Sequence, residues 1–459
     1  MIYAALPLYE LGGYRLALLI PMLGGVAGAF AARELARRLS KRDGWRAFWI
    51  VGLASPMAIY ALDLWEHSLG LALMAWGVVA LLDALERRPA WWRALLGGLA
   101  FGAAAAMRTE AFAYLFAAAA VICITLLVRT RSLRAPFVVG AMTALGAAVA
   151  FGANLLLEIA VLGTTMRAGR ATGAAQAGGQ DLALRGREAV TMAGGLLGSS
   201  GGAADLAMAA GLIGLLAYIA HRAVRGGDQR PAKVAAVIVV LLYLLRITQG
   251  LGFVPGLVAT TPFAAVGLAL CWTRGPDRTV ALIAVVALPI VWYTDFTGGV
   301  LPQWGGRYIL TSGLLLGVLG VVRTERASRW ARHLFVGLAL GVTVFGLAWM
   351  SHRSHEVARA GAWIATRPEP VVVSNVQFWL RESGSYEPDH RWLTVSSSSD
   401  LDRAGQIVAG AGFDRFGLLS LAEADGSAAD VPGYHEVSQE QQTWLGVPFA
   451  YTVYARNST

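Results

Sequence analysis

A series of apolar stretches, running from near the first residue to about residue 350, is the feature that most constrains the fold. A bilayer crossing needs roughly 17–25 apolar residues, and by that rule about twelve stretches qualify as spans, some of them short or broken. They lie near residues 15–34, 47–62, 68–85, 94–108, 111–128, 137–162, 205–222, 234–249, 257–273, 279–294, 307–322 and 333–350. Hydrophobic residues make up 56% of the 459-residue chain and charged residues 15%, which is more apolar surface than a soluble chain can bury. The sequence therefore predicts an all-α polytopic membrane protein over residues 1–350.

The connections between the apolar stretches predict the orientation of the chain in a cell membrane. Every second connection is basic, and the positive-inside rule places these basic connections in the cytoplasm. They cover residues 33–46, 86–93, 129–134, 222–233, 274–278 and 323–332. The net charge of +9 lies largely in these loops, so it indicates topology and not a nucleic-acid partner.

The remaining connections are then expected to face outward. They comprise residues 63–67, 108–110, 163–204, 248–255, the segment around Arg307, and the whole chain after residue 351. Segment 163–204 is rich in Gly, Ala, Thr and Arg, and we expect it to be a mobile external loop. The polar residues that could carry chemistry thus collect on one predicted face of the membrane.

Residues 351–459 differ in composition from the preceding chain. Residues 371–374, 392–395 and 416–420 are typical of short buried strands, residues 400–410 of an amphipathic helix, and residues 448–455 of a last alternating strand. A small α/β domain of roughly 100 residues is the expected result. The predicted topology makes this C-terminal domain extracytoplasmic.

The start of the chain and its cysteines add two expectations. An even number of spans with both ends outside suggests that a first helix and most of a first external loop precede residue 1. The first fourteen residues are too short and too polar to be a span, and no cleavable signal peptide is evident. Cys123 and Cys271 both lie within apolar stretches, so they indicate neither a disulfide framework nor a metal site.

A polar stretch between two apolar ones, residues 295–308, contains the strongest candidate for ligand binding. It ends in Gln303, Trp304, two glycines, Arg307 and Tyr308. Glycines allow close approach of the backbone or a positive φ, and an arginine at the membrane edge can hold a phosphate with two parallel hydrogen bonds. The alternative is an aromatic belt with a snorkelling arginine.

A second candidate lies at the predicted outer end of an early span, where Asp63, Glu66 and His67 occur within five residues. On a helix, their spacing would place all three on one face. Such a face could orient a phosphate or ligate Mg²⁺ or Mn²⁺, although it is not a complete transition-metal site. The alternative is a polar helix terminus in which Glu66 caps the helix and His67 lies at the interface.

A third candidate, Arg108-Thr-Glu110, ends a glycine-rich span. An arginine there can neutralise a lipid phosphate while Glu110 holds its guanidinium, and the alternative is a simple ion pair between helices. Arg246 could add a further positive charge outside. Arg167 and Arg170 could guide an anionic head group, although arginines in so polar a loop are more often simply solvated. Intramembrane charges of this kind are costly and so point to function.

Three motifs together resemble the GT-C superfamily of membrane glycosyltransferases, including protein mannosyltransferase-like enzymes. They are Pro56 followed by Trp65-Glu66-His67, the glycine-rich helix ending in Arg108-Thr-Glu110, and Gln303-Trp-Gly-Gly-Arg307-Tyr308. The resemblance covers about residues 1–350. It implies transfer of a sugar, with inversion, from a polyprenyl-phosphate donor to an acceptor on the external face.

The resemblance also implies roles for the candidate residues. Arg307 and Arg108 would hold the departing phosphate, with His67 and Glu66 bordering the site. The chain departs from the family where the catalytic carboxylate of the first external loop is expected, and Asp63 is the better substitute for it within this sequence. Two other functions stay open: a transporter or flippase of lipid-linked glycans, and a catalytically incomplete membrane scaffold.

Overall fold

The computed structural model describes residues 2–40, 42–86, 91–165, 186, 189, 192–194, 203–248, 254–272, 275–294, 304–376, 379, 390–395, 398–422 and 430–457. The chain divides into two compact units, Met1–Leu347 and Ala348–Thr459. Secondary structure differs between them, since the first unit is helical and the second contains a β-sheet. The protein is therefore a mostly helical multi-pass membrane protein with a small C-terminal sheet domain, as predicted.

The helices of the first unit follow one another with short connections. They are α1 (Ile2–Ala17), α2 (Leu19–Leu39), α3 (Gly44–Leu53), α4 (Pro56–Tyr60), α5 (His67–Glu86), α6 (Trp91–Met107), α7 (Ala111–Thr130), α8 (Arg134–Leu162), α9 (Ala203–Arg225), α10 (Arg230–Ile247), α11 (Leu257–Thr260), α12 (Pro262–Leu270), α13 (Pro276–Thr294), α14 (Leu310–Arg323) and α15 (Arg329–Ala365). Short 3₁₀ helices, Arg307–Ile309 and Thr324–Arg326, flank α14.

Eight helices in the described part of the chain are long and apolar enough to cross a membrane, and each corresponds to one of the predicted spans. Two further predicted spans form single helices: α6 has 17 residues, and α10 has 18 residues that include Arg230, Lys233 and Arg246. The last two, near residues 47–62 and 257–273, are broken helices. Short and broken spans were part of the expectation.

Proline explains both breaks. Pro56 and Pro262 each occupy the start of a new helix, where the missing N–H costs nothing, whereas in a helix interior proline disrupts the turn before it. Ser55 reinforces the first break because its hydroxyl accepts a hydrogen bond of 3.2 Å from the Met57 N–H. Helix α3 has only ten residues, about 15 Å at 1.5 Å per residue, so the chain turns within the membrane depth and leads directly to residues 61–66.

Helices α6 and α8 pack against each other through glycines. A Cβ atom built on Gly98 would lie 2.1 Å from the Thr143 carbonyl oxygen, and one on Gly146 would lie 2.2 Å from the Leu95 carbonyl oxygen. Backbones can come this close only where side chains are absent. The packing holds the end of α6, and with it the connection to α7, in a fixed place.

Gly146→Ala is therefore expected to lower the stability of the purified protein by about 1–3 kcal/mol, since the added methyl group overlaps backbone of α6. Thermal unfolding in detergent measures the effect. Gly152→Ala is the matched control on the same helix, because a Cβ there meets nothing within 4 Å, and it is expected to be neutral or slightly stabilising. Equal melting temperatures for the two variants would contradict this account of the interface.

The C-terminal unit contains a five-stranded sheet in the order β2-β1-β3-β5-β4. Its strands are β1 (Val371–Ser374), β2 (Arg391–Thr394), β3 (Arg415–Leu421), β4 (Tyr434–Trp444) and β5 (Val447–Arg456), and α16 (Ser398–Gly410) precedes β3. Strand β1 is parallel to β2 and β3, while β5 is antiparallel to β3 and β4. Strand β4 was not predicted because its exposed edge sequence is polar, including Glu436, Gln439 and Gln442.

Apolar side chains cover both faces of this sheet. One face packs on α16 through residues such as Leu401 and Val408, with Phe416 and Tyr454 from the sheet. The other packs on the end of α15 through Ile364. The sheet is therefore the middle layer of a compact α/β unit, and its extracytoplasmic placement remains a prediction.

Candidate functional site

Three separate connections of the first unit supply polar side chains to one cleft. The connections are residues 61–66 between α4 and α5, residues 108–110 between α6 and α7, and the segment that leads into the 3₁₀ helix Arg307–Ile309. The cleft encloses about 180 Å³ of space, open solvent included, and is lined by His67, Leu71, Met74, Arg108, Glu110, Arg307, Tyr308, Leu310 and Thr311. Five of these nine residues were named as site candidates from the sequence.

Both candidate arginines lie against the same aromatic ring. The guanidinium carbon of Arg307 is 4.5 Å from the centre of the Tyr308 ring, and that of Arg108 is 5.4 Å from the same centre. Arg307 also donates a short hydrogen bond from Nη2 to the Tyr308 hydroxyl, and its guanidinium carbon lies 5.6 Å from the Trp65 ring. Two cations from segments about 200 residues apart in the sequence numbering therefore meet at one place.

Arg108 is the most deeply held cation of the cleft. Its side chain is 5% exposed. Its Nε donates to Glu110 Oε1 at 2.6 Å, and its Nη2 lies 2.6 Å from the same oxygen. Glu66 Oε1 lies 3.6 Å from Nη1, and a Cβ at Gly70 would come within 2.9 Å of the Arg108 stem. The predicted ion pair thus exists, and it holds a guanidinium that also lines the cleft.

Glu110 and Arg307 each keep one atom without a hydrogen bond to the described residues. These atoms are Glu110 Oε2 and Arg307 Nε, both of which are buried. Buried polar atoms are costly to leave without a partner. Both residues line the cleft, so a ligand or water could satisfy them there.

His67 is stacked between two aromatic rings. The Tyr60 ring lies 4.5 Å away with an interplanar angle of 6°, and the Trp65 ring lies 4.8 Å away at 23°. Tyr60 is itself fixed, because its hydroxyl donates to the Trp304 carbonyl oxygen at 2.7 Å. On its edge, His67 Nε2 lies 2.5 Å from Arg108 Nη1. The stack therefore connects all three segments of the site.

The expectation that Asp63, Glu66 and His67 share one helical face is wrong. Helix α4 ends at Tyr60, α5 begins at His67, and residues 61–66 form turns. The Trp65 N–H donates to the Asp63 carbonyl oxygen at 2.6 Å, which closes a tight turn, and the Glu66 carbonyl accepts from Gly70 N–H as the first helical bond of α5. The Glu66 carboxylate lies beside Arg108 instead, with Oε1 3.6 Å from Nη1.

Asp63, the candidate catalytic carboxylate, is half-buried in this turn. Its side chain is not among those that line the cleft. Gln303 and the rest of segment 295–303 lie outside the described residues, as do Arg167 and Arg170. Arg246 is buried at the end of α10 and is not a lining residue of the cleft.

Two glycines with positive φ deliver Arg307 and Tyr308 to the cleft. Gly305 has a φ of 69° and Gly306 a φ of 64°, a region that side chains disfavour. The Gly305 N–H donates to the Pro255 carbonyl oxygen at 2.8 Å, and Trp304 is buried with 6% exposure. The turn is thereby fixed on both sides, with Trp304 pointing into the helices and Arg307 into the cleft.

Sequence reasoning missed several contributors to the site, chiefly Tyr60, Gly70, Met74 and Thr311. Only Gly70 had a usable signal, since a single glycine within an apolar helix often marks a close approach of another group. For metal binding, no three His, Cys, Asp or Glu side chains in the described ranges form a group that could hold an ion. A role for Mg²⁺ or Mn²⁺ stays a prediction.

Comparisons with known proteins found structural similarity alone. No protein-family model matches the chain, and no curated protein matches it. The crystal structure of ArnT from Cupriavidus metallidurans bound to undecaprenyl phosphate is similar, with 13% sequence identity and a TM-score of 0.43 over 100% of this chain and 87% of that chain. The apo ArnT structure shows 15% identity and a TM-score of 0.39 over 99% and 86%. Similarity at this level does not define the chemistry, which rests on the residues of the cleft.

Proposed function

We propose that this protein is an integral membrane glycosyltransferase that moves a hexosyl or pentosyl group from a polyprenyl-phosphate donor to an acceptor on the extracytoplasmic face. The observation that carries the proposal is the meeting of Arg108 and Arg307 at one cleft beside Tyr308. Arginine is the side chain best suited to hold a phosphate through parallel hydrogen bonds.

An apolar cleft next to the polar one supports a lipid as the carrier of that phosphate. It encloses about 290 Å³ of space, open solvent included, and is lined by Val51, Ser55, Pro56, Met57, Leu71, Leu257, Thr261, Leu310, Gly313 and Leu314. Leu71 and Leu310 belong to both clefts. A molecule with a charged head and an apolar chain matches this pair of neighbouring environments, whereas a soluble sugar phosphate would use only the first.

The chemistry of transfer fits the charges of the cleft. Departure of the lipid phosphate from the sugar develops negative charge, and fixed guanidinium groups in a site of low polarity stabilise it. Loss of one such donor typically costs about 2.7–4 kcal/mol in the transition state. In this proposal Arg108 and Arg307 hold the phosphate, and His67, Glu66 and Glu110 keep Arg108 in place.

Transfer also needs a general base that accepts the proton of the acceptor hydroxyl. Asp63 is the candidate of this sequence, and it lies on the connection that leads to His67 without lining the cleft. A general base there would contribute about 10²–10⁴-fold to the rate.

A lipid-binding experiment tests the proposal. Undecaprenyl phosphate, the lipid named in the ArnT structure, is offered to the purified protein in nanodiscs, with undecaprenol as the uncharged control. Wild type is expected to bind the phosphate and to bind the alcohol far more weakly. Arg307→Ala is expected to weaken phosphate binding about 10–100-fold, as for loss of hydrogen bonds to a charged group of about 1.5–3 kcal/mol.

The matched control removes an equal charge elsewhere. Arg134 is exposed at the start of α8 in a predicted cytoplasmic loop, so Arg134→Ala is expected to leave binding unchanged. Equal affinity for phosphate and alcohol, or equal effects of the two substitutions, would count against the site. Bond cleavage is read separately, as release of polyprenyl phosphate from a lipid-linked sugar when acceptor-containing envelope extract is added. Passage of that lipid-linked sugar across vesicles without cleavage would favour the flippase alternative.

A further inference from the structure

The contact between His67 and Arg108 fixes the protonation state of the histidine. His67 Nε2 lies 2.5 Å from Arg108 Nη1. Arginine carries five N–H donors, accepts no hydrogen bond and stays charged, so Nε2 must contribute its lone pair. His67 is then neutral, with its proton on Nδ1.

The surroundings of His67 make it a rigid acceptor. Its ring lies between Tyr60 and Trp65 at 4.5 and 4.8 Å, and the residue is 3% exposed. The two stacked rings prevent the imidazole from rotating out of its plane. The direction of the Nε2 lone pair is therefore set by packing, and it points at Arg108.

His67 and Glu110 hold opposite parts of the same guanidinium. Glu110 Oε1 accepts from Nε at 2.6 Å and lies 2.6 Å from Nη2, while His67 faces Nη1. These contacts engage three of the five N–H groups, and Glu66 Oε1 lies 3.6 Å from Nη1, so one or two N–H groups remain for a ligand. Because the guanidinium is planar, contacts at both ends determine which way the remaining N–H groups face.

We propose that neutral His67 is a positioning residue, whose Nε2 accepts from Arg108 and orients the remaining guanidinium donors toward the phosphate of the ligand. The inference rests on the proposed function and specifies how one of its two cations is held. His67 in this role does not contact the reacting atoms. This positioning role is more specific than the expectation from the sequence, which was that His67 borders the site.

A consequence is that acid should weaken ligand binding. Protonation of Nε2 removes the acceptor and places a second cation 2.5 Å from Arg108. The titratable and charged groups around His67 and the Tyr60 ring stacked on it are Tyr60, Asp63, Glu66, Arg108, Glu110, Arg307 and Tyr308. Histidine is the one among them whose ordinary titration falls between about pH 5 and 8. If His67 instead bound phosphate directly as a cation, acid would strengthen binding.

The experiment compares three full-length proteins in nanodiscs, with undecaprenyl phosphate as the probe, between pH 5.5 and 8. His67→Gln places an amide oxygen that accepts from Arg108 and does not titrate, and it is expected to bind within about threefold of wild type at pH 8. His67→Leu fills the space without an acceptor and is expected to bind at least about tenfold more weakly at every pH. Size-exclusion profiles check that both variants fold.

The pH profile separates a positioning role from a structural one. The lipid phosphate itself gains a proton near pH 6, as phosphomonoesters do, and this change affects binding by every variant. His67→Gln measures the loss of affinity that comes from the lipid alone. Wild type is expected to lose at least as much affinity as His67→Gln between pH 8 and 5.5, and any steeper loss marks protonation of His67. A gain of affinity by wild type relative to His67→Gln in acid, as for a cationic His67 that binds phosphate, or normal binding by His67→Leu, would overturn the role.

A measurement without lipid keeps this inference distinct from the proposed function. In ¹⁵N-histidine spectra of the full chain at pH 7.5, the resonance absent from His67→Gln identifies His67 among the seven histidines. We expect an unprotonated Nε2 and a protonated Nδ1. A proton on Nε2 would overturn the positioning role even if the lipid binds. If the expected tautomer is found but wild type binds undecaprenyl phosphate no better than undecaprenol, the proposed function alone is overturned.

Discussion

Arg108→Met is expected to abolish measurable binding of undecaprenyl phosphate and to destabilise the protein by about 3–5 kcal/mol, because it removes the cation that neutralises a buried carboxylate. Glu110 is 6% exposed, and Oε1 would lose both of its contacts of 2.6 Å with the guanidinium. Methionine preserves much of the apolar stem that packs beside Gly70. Lipid binding in nanodiscs and thermal unfolding in detergent measure the two effects separately.

A second substitution tells loss of binding from loss of folding. Glu110→Gln on the Arg108→Met background removes the unpaired charge, so most of the lost stability should return, since the main cost of breaking a buried pair is the charge left behind. Phosphate binding should not return, because no cation has been restored. Recovery of binding in the double variant would mean that Arg108 acts only by holding the fold.

The sequence could predict the helical membrane unit and five of the residues that line the cleft. Spans are evident because each apolar stretch must satisfy its backbone within itself, and Ser55-Pro56 marks where one of them breaks. Arg108 and Arg307 stood out for a related reason, since charges at membrane depth are costly unless they have a use or a partner. These are local properties of the chain, which a single sequence carries.

The arrangement within the site could not be predicted in the same way. Tyr60 acts through a hydrogen bond to Trp304, a residue 244 positions away, and nothing near Tyr60 indicates that partner. The helical face expected for Asp63, Glu66 and His67 failed because a turn closed by the Trp65 N–H replaces the helix. Spacing predicts a shared face only if the segment is helical. The short helix that begins at Pro56 ends at Tyr60, so residues 61–66 are not helical.

The turn before Arg307 depends on glycine for two physical reasons that can be separated. Gly305 has a φ of 69°, and a Cβ there would lie 2.3 Å from Cγ of Pro56. The positive φ strains any other residue by about 1–2 kcal/mol. The short distance to Pro56 means that an added Cβ forces Pro56 and the turn apart. Since Pro56 begins α4, which ends at Tyr60, a displacement at this point reaches the stack that holds His67.

Gly305→Ala is therefore expected to lower phosphate binding at least as much as Arg307→Ala does, about 100-fold, although it removes no charge and no hydrogen bond. Undecaprenyl phosphate binding and thermal unfolding measure the loss. Gly226→Ala is the matched control, because Gly226 has a similar φ of 76° and a Cβ there meets nothing within 4 Å. It should show the conformational strain alone, as a small loss of stability with binding intact. If Gly305→Ala behaves like Gly226→Ala, close approach of the turn to Pro56 does not position Arg307, and the cleft must owe its geometry to other contacts.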